Sequence, residues 1–112
     1  MKINTIDNGS SQIIELKGRL DTSNFNVFED VINDLIEKGK VNLIIDCHML
    51  NYISSSGLRI FLVGYKRVKP LGGVFYVCNL QENIYEVFKV SGFTSIFTIY
   101  PDRNDALKAF SV

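Results

Sequence analysis

The chain has 112 residues, of which 46% are hydrophobic, and its 12 basic and 12 acidic side chains give a formal net charge of +0. This length suits a single domain, 1–112, and the apolar content is enough for a buried core, which argues against intrinsic disorder. A nucleic-acid-binding protein normally carries a basic excess, so we expect no direct contact with nucleic acid.

Hydropathy argues against a membrane protein. No apolar run in the sequence approaches the roughly 18 residues that a membrane-spanning helix needs. The segment Met1 to Asp7 alternates polar and apolar residues and lacks the apolar core of a signal peptide. We therefore expect a cytoplasmic protein with no membrane span, in which Cys47 and Cys78 are reduced and buried.

The beginning of the chain predicts a β-hairpin. Alternating apolar residues indicate two strands, Lys2 to Asp7 and Gln12 to Leu16, and the Asn8-Gly9 pair between them is a strong turn signal. The segment Gly18 to Asn24 then interrupts the strand pattern. The hairpin should therefore end before this segment.

A helix is predicted next, from about Asn24 to Lys38. Its apolar residues recur at three- and four-residue spacing and form one face. Gly39 is a typical stop. Just before the helix, Asp21, Thr22 and Ser23 are candidate N-caps.

The rest of the chain alternates strands with helices. Val41 to Asp46 predicts a buried strand, Cys47 to Ser55 a loop, and about Ser56 to Lys69 a helix that ends at Pro70. The later predicted elements are a strand at Val74–Cys78, a short helix around Ile84 and Phe88, a strand at Ile96–Tyr100 and a last helix with Ala106, Leu107 and Phe110. Such alternation implies right-handed parallel crossovers. We predict one α/β domain with a mixed, mostly parallel sheet after an N-terminal hairpin, and about four helices.

Sequence signals for an enzyme are weak. The chain has neither a G-x-x-x-x-G-K-[ST] nor a G-x-G-x-x-G phosphate-binding loop. A serine hydrolase could pair Ser55 with His48, the only histidine, but no third group clearly orients that base. We expect no catalytic residues and no cofactor, and the hydrolase is the weakest of the alternatives.

Asp46, which ends a predicted strand, could also belong to a metal site or a phosphate-acceptor site. With Cys47, His48 and Cys78 it could suggest a metal site, although the spacing does not suit a zinc pair. It could also be the acceptor of an aspartyl-phosphate receiver, for which Asp7 is a weak candidate as the additional acidic residue. We expect no metal.

The most informative segment is Tyr52 to Arg59, in which three serines and a glycine precede a predicted helix. A hydroxyl at a helix N-terminus either caps the helix or holds a phosphate. One cap needs one hydroxyl, and three together follow a buried strand at the carboxyl end of the sheet, where α/β proteins place their sites. Basic residues follow on the same predicted helix, which we interpret as a solvated face: Arg59, Lys66, Arg67 and Lys69.

These residues resemble the signature of anti-sigma factor antagonists, the STAS domain family. The segment Asp46 to Arg59 is similar to the family's strand ending in Asp, short loop, phosphorylatable Ser and Gly-Leu pair. Gly18 to Asp21 resembles an earlier family loop, and Val90 to Phe93 with Ile96-Phe97 resembles a late one. Ala106-Leu107 resembles the closing helix. The resemblance spans nearly the whole chain.

The resemblance implies a STAS-like fold and a phosphorylation site at Ser55. Ser56 would be its hydroxyl neighbour, Gly57 would permit close backbone approach, and Ser54 stands where the family often has Asp. Asp21 and Thr22 would lie nearby, unless they serve to cap the first helix. The implied partner-binding residues are Asp21, Thr22, Ser54, Ser55, Ser56, Gly57 and Arg59.

The implied function is partner switching. The unmodified protein would bind an anti-sigma factor that is also a serine kinase and so release the sigma factor, and phosphorylation at Ser55 would end that binding. The alternative within the same family is a scaffold or accessory subunit of a transporter or stress-signalling assembly.

Overall fold

A computed structural model describes residues 1–110, and Ser111 and Val112 of the predicted domain lie outside this range. The strands are β1 (Lys2–Asp7), β2 (Gln12–Leu20), β3 (Asn42–Ile53), β4 (Val74–Cys78) and β5 (Thr98–Tyr100). The α-helices are α1 (Phe25–Glu37), α2 (Ser55–Val68), α3 (Glu82–Val90) and α4 (Arg103–Lys108), with 3₁₀ turns at Lys69–Leu71 and Phe93–Ser95.

The five strands form one sheet in the order β1-β2-β3-β4-β5. The β1–β2 pair is antiparallel and the other three pairs are parallel. This arrangement confirms the predicted hairpin followed by parallel crossovers, and it confirms the α/β fold class with four helices.

Helices cover both faces of the sheet. The main core packs α1, α2 and α3 against one face, while a smaller cluster packs α4 against the other. Alternate strand residues divide between the two: Leu43 and Ile45 join the main core, and Ile44 joins the α4 cluster. Phe61 of α2 is the centre of the main core, and its ring makes edge-to-face contacts, with centroid distances of 5.3–6.3 Å, with Phe28, Phe75, Phe88 and Phe97.

The structure corrects the prediction of a loop over Cys47 to Ser55. Strand β3 continues to Ile53, and β2 continues past Gly18 to Leu20, because the two strands stay paired through two register shifts. Gly18 has a positive φ of 97°, a conformation that glycine adopts without strain. Both strands therefore deliver their last residues to the same edge of the sheet.

The last strand is shorter than predicted. Ile96 and Phe97 follow the 3₁₀ turn at Phe93–Ser95, and β5 begins only at Thr98. Phe97 is buried against the aromatic core, so its apolar character reflects burial in a turn rather than a strand. Cys47 and Cys78 are free and buried, as expected.

Candidate functional site

The serine run lies where β3 passes into α2, at the carboxyl end of the parallel strands. The backbone N–H of Ser54 donates to the carbonyl of Leu20, with an N–O distance of 2.9 Å. Leu20 ends β2 and is paired with Ile53, which ends β3. The ends of two neighbouring strands thus hold the start of α2 in place.

Ser54 is the N-cap of α2. Its backbone is extended, and its Oγ accepts a hydrogen bond from the Gly57 N–H at 3.2 Å. Its carbonyl accepts the first helical bond, from Leu58 N–H at 2.9 Å. Of the three serines at the start of α2, Ser54 therefore supplies the cap.

Ser55 is exposed, and its hydroxyl has no hydrogen-bond partner among residues 1–110. It is the first residue of α2, whose first turn contains no acidic side chain. The positive end of the helix dipole and the unpaired N–H groups there favour an anion. Ser56 is half-buried. Within the described part of the chain, Ser55 is therefore the one of the three serines that is exposed and has a hydroxyl without a hydrogen-bond partner.

Gly57 lets the first turn of α2 pack closely on the sheet. A Cβ at this position would lie 2.8 Å from Leu20 Cγ and 3.1 Å from Ile53 Cγ1. Gly57 is itself buried, so its close approach is to the protein's own core. Any contribution of Gly57 to partner binding would therefore come through the placement of α2.

Asp21 and Thr22 lie in the connection between β2 and α1, next to the serine run. The Asp21 carboxylate accepts hydrogen bonds from the Ser23 N–H at 3.0 Å and the Ser23 hydroxyl at 2.6 Å, and these bonds lower its pKa. The N-cap of α1 is Asn24, with no side-chain capping bond. The alternative that Asp21 or Thr22 caps α1 through its side chain is therefore wrong.

Two further residues of this edge, Arg19 and Tyr52, were not among the predicted site residues. The Arg19 guanidinium carbon lies 3.9 Å from the centroid of the Tyr52 ring, and Arg19 Nε lies 3.7 Å from an Asp21 oxygen. Tyr52 is still 40% exposed. Their strand register brings them together, and the prediction of a loop over Cys47 to Ser55 concealed this pairing.

Arg59 lies one helical turn after Ser55 and is exposed. Residues four apart on a helix are neighbours on its surface. The guanidinium makes no ion pair with any side chain in the described part of the chain. Its charge is therefore available close to Ser55.

Asp46 does not resemble an open acceptor. Its side chain is 2% exposed, and it accepts hydrogen bonds from Arg103 Nε at 2.8 Å and from Asn79 Nδ2 and the His48 N–H, both at 3.1 Å. Burial by itself would raise the pKa of this carboxyl, but the three donors outweigh it and the net pKa is lowered. Arg103 also pairs with Glu15.

The geometry gives little support to metal or nucleophilic chemistry near Asp46. Over residues 1–110 no group of three or more His, Cys, Asp or Glu side chains could hold a metal ion. Burial raises the pKa of the Cys78 thiol to about 12, so the ligating thiolate is disfavoured. His48 Nδ1 lies 3.4 Å from an Asp46 oxygen, and no hydrogen bond joins its ring to Ser55 in the described structure.

None of the helices formed by the described residues is long and apolar enough to cross a membrane.

Comparison with known proteins places these features in a family. BtrV of Bordetella bronchiseptica is 35% identical over 95 residues, which cover 85% of this chain and 82% of BtrV. The anti-sigma F factor antagonist of Paenibacillus polymyxa is 26% identical over 101 residues, covering 89% of this chain and 86% of the relative.

Solved structures share the fold. An anti-sigma factor antagonist from Mycobacterium paratuberculosis superposes with a TM-score of 0.88 at 22% identity, covering 96% of this chain and 92% of that one. The Bacillus cell fate determinant SpoIIAA in its phosphorylated form gives 0.77 at 19% identity, covering 97% and 99%. The family model of the STAS domain matches residues 2–106, and the chain belongs to the STAS domain family.

Proposed function

We propose that the chain is a cytoplasmic anti-sigma factor antagonist that is switched off by phosphorylation at Ser55. In its unmodified form it binds an anti-sigma factor with serine kinase activity, which releases the sigma factor. The observation that carries this proposal is the hydroxyl of Ser55, which is exposed, has no hydrogen-bond partner among the described residues and stands beside Ser54, the cap of α2. The cap is thus supplied without Ser55, whose hydroxyl remains available for modification.

The relatives support the same function. The Paenibacillus polymyxa relative and a Bacillus subtilis relative, 29% identical over 86 residues, are named as antagonists of anti-sigma F and anti-sigma-B factors. SpoIIAA, which shares the fold, has been solved in unphosphorylated and phosphorylated forms. The phosphorylated form of SpoIIAA supports the proposal that this fold can carry a phosphate in this chain as well.

The chain contributes only the acceptor hydroxyl to this reaction. The partner supplies ATP, magnesium and the base that removes the Ser55 proton, a new Oγ–P bond forms at the γ-phosphate, and ADP leaves. The product carries about −1.5 to −2 charges at the start of α2. There the helix dipole and free N–H groups stabilise an anion, so the fold is maintained.

The same charge opposes binding when a partner covers the edge, because it must be desolvated or repelled. A penalty of roughly 4 kcal/mol would weaken binding about a thousandfold. We propose that the covered edge includes Asp21, Thr22, Ser54, Ser55, Ser56 and Arg59, with Gly57 placing the helix. Tyr52, held against Arg19, is the exposed aromatic side chain of this edge and a suitable anchor.

The test begins with the native complex. The tagged chain is isolated from its own cells, the co-purifying anti-sigma factor is identified, and both proteins are purified. With MgATP, mass spectrometry should find one added phosphate, on Ser55, in the wild type and in Ser56→Ala, and none in Ser55→Ala. Phosphate on Ser54 or Ser56 alone, or no phosphate, contradicts the proposal.

Binding supplies the second half of the test. Ser55→Ala should bind the purified anti-sigma factor like the wild type, and Ser55→Asp should bind at least tenfold more weakly. Equal binding by the two variants would show that charge at Ser55 does not control the complex. A transporter or stress-signalling assembly as the sole co-purifying partner would favour the scaffold alternative instead.

A further inference from the structure

The two neighbouring helices α1 and α2 carry opposite charge. Helix α1 has acidic side chains and no basic ones, whereas α2 has basic side chains and no acidic ones. The acidic residues are Glu29, Asp30, Asp34 and Glu37, and the basic ones are Arg59, Lys66 and Arg67. The formal net charge of +0 therefore conceals a segregated surface on the helical face of the domain.

Four residues of α2 lie in a line along the exposed side of the helix. Ser55, Arg59, Leu62 and Lys66 follow one another at intervals of four, three and four residues, which places them within about 60° of each other around the helix and along about 16 Å of its length. Arg59 and Lys66 are exposed and Leu62 is half-buried. We call these four residues the α2 stripe.

The cations of the α2 stripe are not used by the fold. Among residues 1–110, neither Arg59 nor Lys66 makes a hydrogen bond or an ion pair. The other cations nearby are engaged, since Arg67 donates to Asn33 of α1 and Lys69 Nζ donates to Tyr65 Oη at 2.8 Å. The free positive charge of this helix therefore lies on the same line as Ser55.

We propose that the α2 stripe selects the partner, and that the partner presents an acidic surface to it. This inference rests on the proposed function and specifies the chemistry of its interface. Carboxylates of the anti-sigma factor lie opposite Arg59 and Lys66, and an apolar side chain lies against Leu62. Phosphate at Ser55 brings about −1.5 to −2 charges to a stripe that carries two positive ones, so it cancels the attraction and repels the partner's carboxylates.

A second copy of this chain could offer its acidic α1 to the α2 stripe, but two observations favour the anti-sigma factor. Part of the α1 charge is already neutralised, since Lys38 Nζ lies 3.0 Å from an Asp34 oxygen. A second copy on the stripe would also cover Ser55, the residue that the kinase must reach. Self-association is therefore an outcome that the experiment must be able to detect.

The experiment compares charge reversals on two surfaces, using the purified anti-sigma factor from the native complex as the probe. Arg59→Glu/Lys66→Glu reverses the stripe. Lys89→Glu/Lys108→Glu makes the same change of charge elsewhere, on α3 and on α4, where both lysines are exposed. At low salt we expect the stripe variant to bind at least tenfold more weakly than wild type and the control to change less than threefold.

Salt and a neutral variant sharpen the result. Arg59→Gln/Lys66→Gln should lie between wild type and the reversal, and the differences should shrink near 1 M salt, where the Debye length is about 3 Å. Circular dichroism and thermal unfolding of each variant report whether the fold is retained, and the neutral variant serves as the test if the reversal does not fold.

The outcomes separate this inference from the proposed function. If Ser55→Asp loses binding but the stripe variants bind like the control, the acidic partner surface is wrong and the switch stands. If the wild type fails to bind the anti-sigma factor, the proposed function itself fails. Concentration-dependent dimers of the wild type in sedimentation, lost in the stripe variant, would assign the stripe to a second copy and overturn the inference.

Discussion

Two groups of polar residues, one around Asp46 and one at the start of α2, behave in opposite ways. The Asp46 cluster consists of Asp46, Glu15, Asn79 and Arg103, and the serine edge consists of Ser54, Ser55 and Ser56. In the cluster, Asp46 is 2% exposed and receives three donors, whereas on the edge Ser55 is exposed with no partner in the described chain. Polar groups that are fully paired within the chain hold the fold, and those left open are available to a partner.

The Asp46 cluster joins parts of the chain that are distant in sequence. Glu15 belongs to β2, Asp46 to β3 and Arg103 to α4, while Asn79 follows β4 with a positive φ of 59°. Arg103 thereby fixes α4 to the face of the sheet opposite the other helices. The cluster explains why a carboxylate that resembles a receiver acceptor in sequence serves as an internal ion-pair partner.

The largest expected effect comes from removing the cation of this cluster. Arg103→Met keeps the apolar stem but leaves Asp46 as a buried carboxylate without its counter-ion. Breaking a buried pair in this way typically costs about 3–5 kcal/mol. Arg103 is 30% exposed, so water screens part of the charge and we expect a loss of about 2–3 kcal/mol in the free energy of unfolding. Urea unfolding measures it.

Lys108→Met on the same helix is the control for Arg103→Met. Its amine is exposed and lies 3.9 Å from an Asp105 oxygen, a surface pair worth about 0–1 kcal/mol. Equal losses from the two substitutions would show that Asp46 does not depend on Arg103.

Protonating Asp46 should destabilise the fold less than Arg103→Met does, because a neutral carboxyl can still accept hydrogen bonds. The pKa of Asp46 is lower folded than unfolded, so its contribution to stability is fully present above the unfolded value of about 4 and is lost as the pH falls through the lower folded value. Asp46→Asn lacks this contribution at every pH. The stability difference between wild type and Asp46→Asn should therefore be largest near pH 6 and shrink as the solution is acidified below about pH 4.

Comparing the wild type with Asp46→Asn isolates the contribution of Asp46 to the pH dependence of stability from that of other acidic groups. Asp7 and Asp21 also have lowered pKa values, caused mainly by hydrogen bonds from Gln12 and Ser23 respectively, but both proteins keep them. Unfolding curves at several pH values give the difference. A difference that stays constant from pH 6 to the acid limit would mean that the ionised carboxylate does not stabilise the fold.

Sequence patterns predicted the elements better than the contacts between them. Local periodicity and turn residues were enough for the hairpin, the helices and the α/β class, because each depends on residues close in the chain. The β3 strand after Cys47 was missed because its apolar residues are interrupted by polar ones, and its strand state depends on pairing with β2. Local patterns carry no information on that pairing.

The serine edge and the Asp46 cluster also differ in how far they could be predicted from local sequence. Ser55 could be proposed from the serine run and the family resemblance, since cap, acceptor and helix start are adjacent in sequence. The ion pair between Glu15 and Arg103 joins residues 88 positions apart, and the Arg19–Tyr52 contact depends on strand register. Long-range geometry was therefore needed to see that Asp46 is closed and that Tyr52 belongs to the edge.

The smallest expected effect is a difference in stability between two substitutions within the serine edge, Ser54→Ala and Ser55→Ala. Ser54→Ala removes the oxygen that accepts from the Gly57 N–H, and loss of such a cap costs about 1 kcal/mol. Ser55→Ala removes an exposed hydroxyl and adds a good helix former, so stability should change by less than about 0.5 kcal/mol. Denaturant unfolding resolves the two.

Ser54→Asp tests whether Ser54 acts as the cap of α2, because it replaces one capping side chain by another. An aspartate caps a helix about as well as a serine and its charge suits the positive end of the dipole, so this variant should keep wild-type stability within a few tenths of a kcal/mol. If Ser54→Ala and Ser55→Ala lost equal stability, the hydroxyl of Ser55 would be structural. It would then be unavailable as a free acceptor, and the distinction between a closed cluster and an open edge would fail at its central residue.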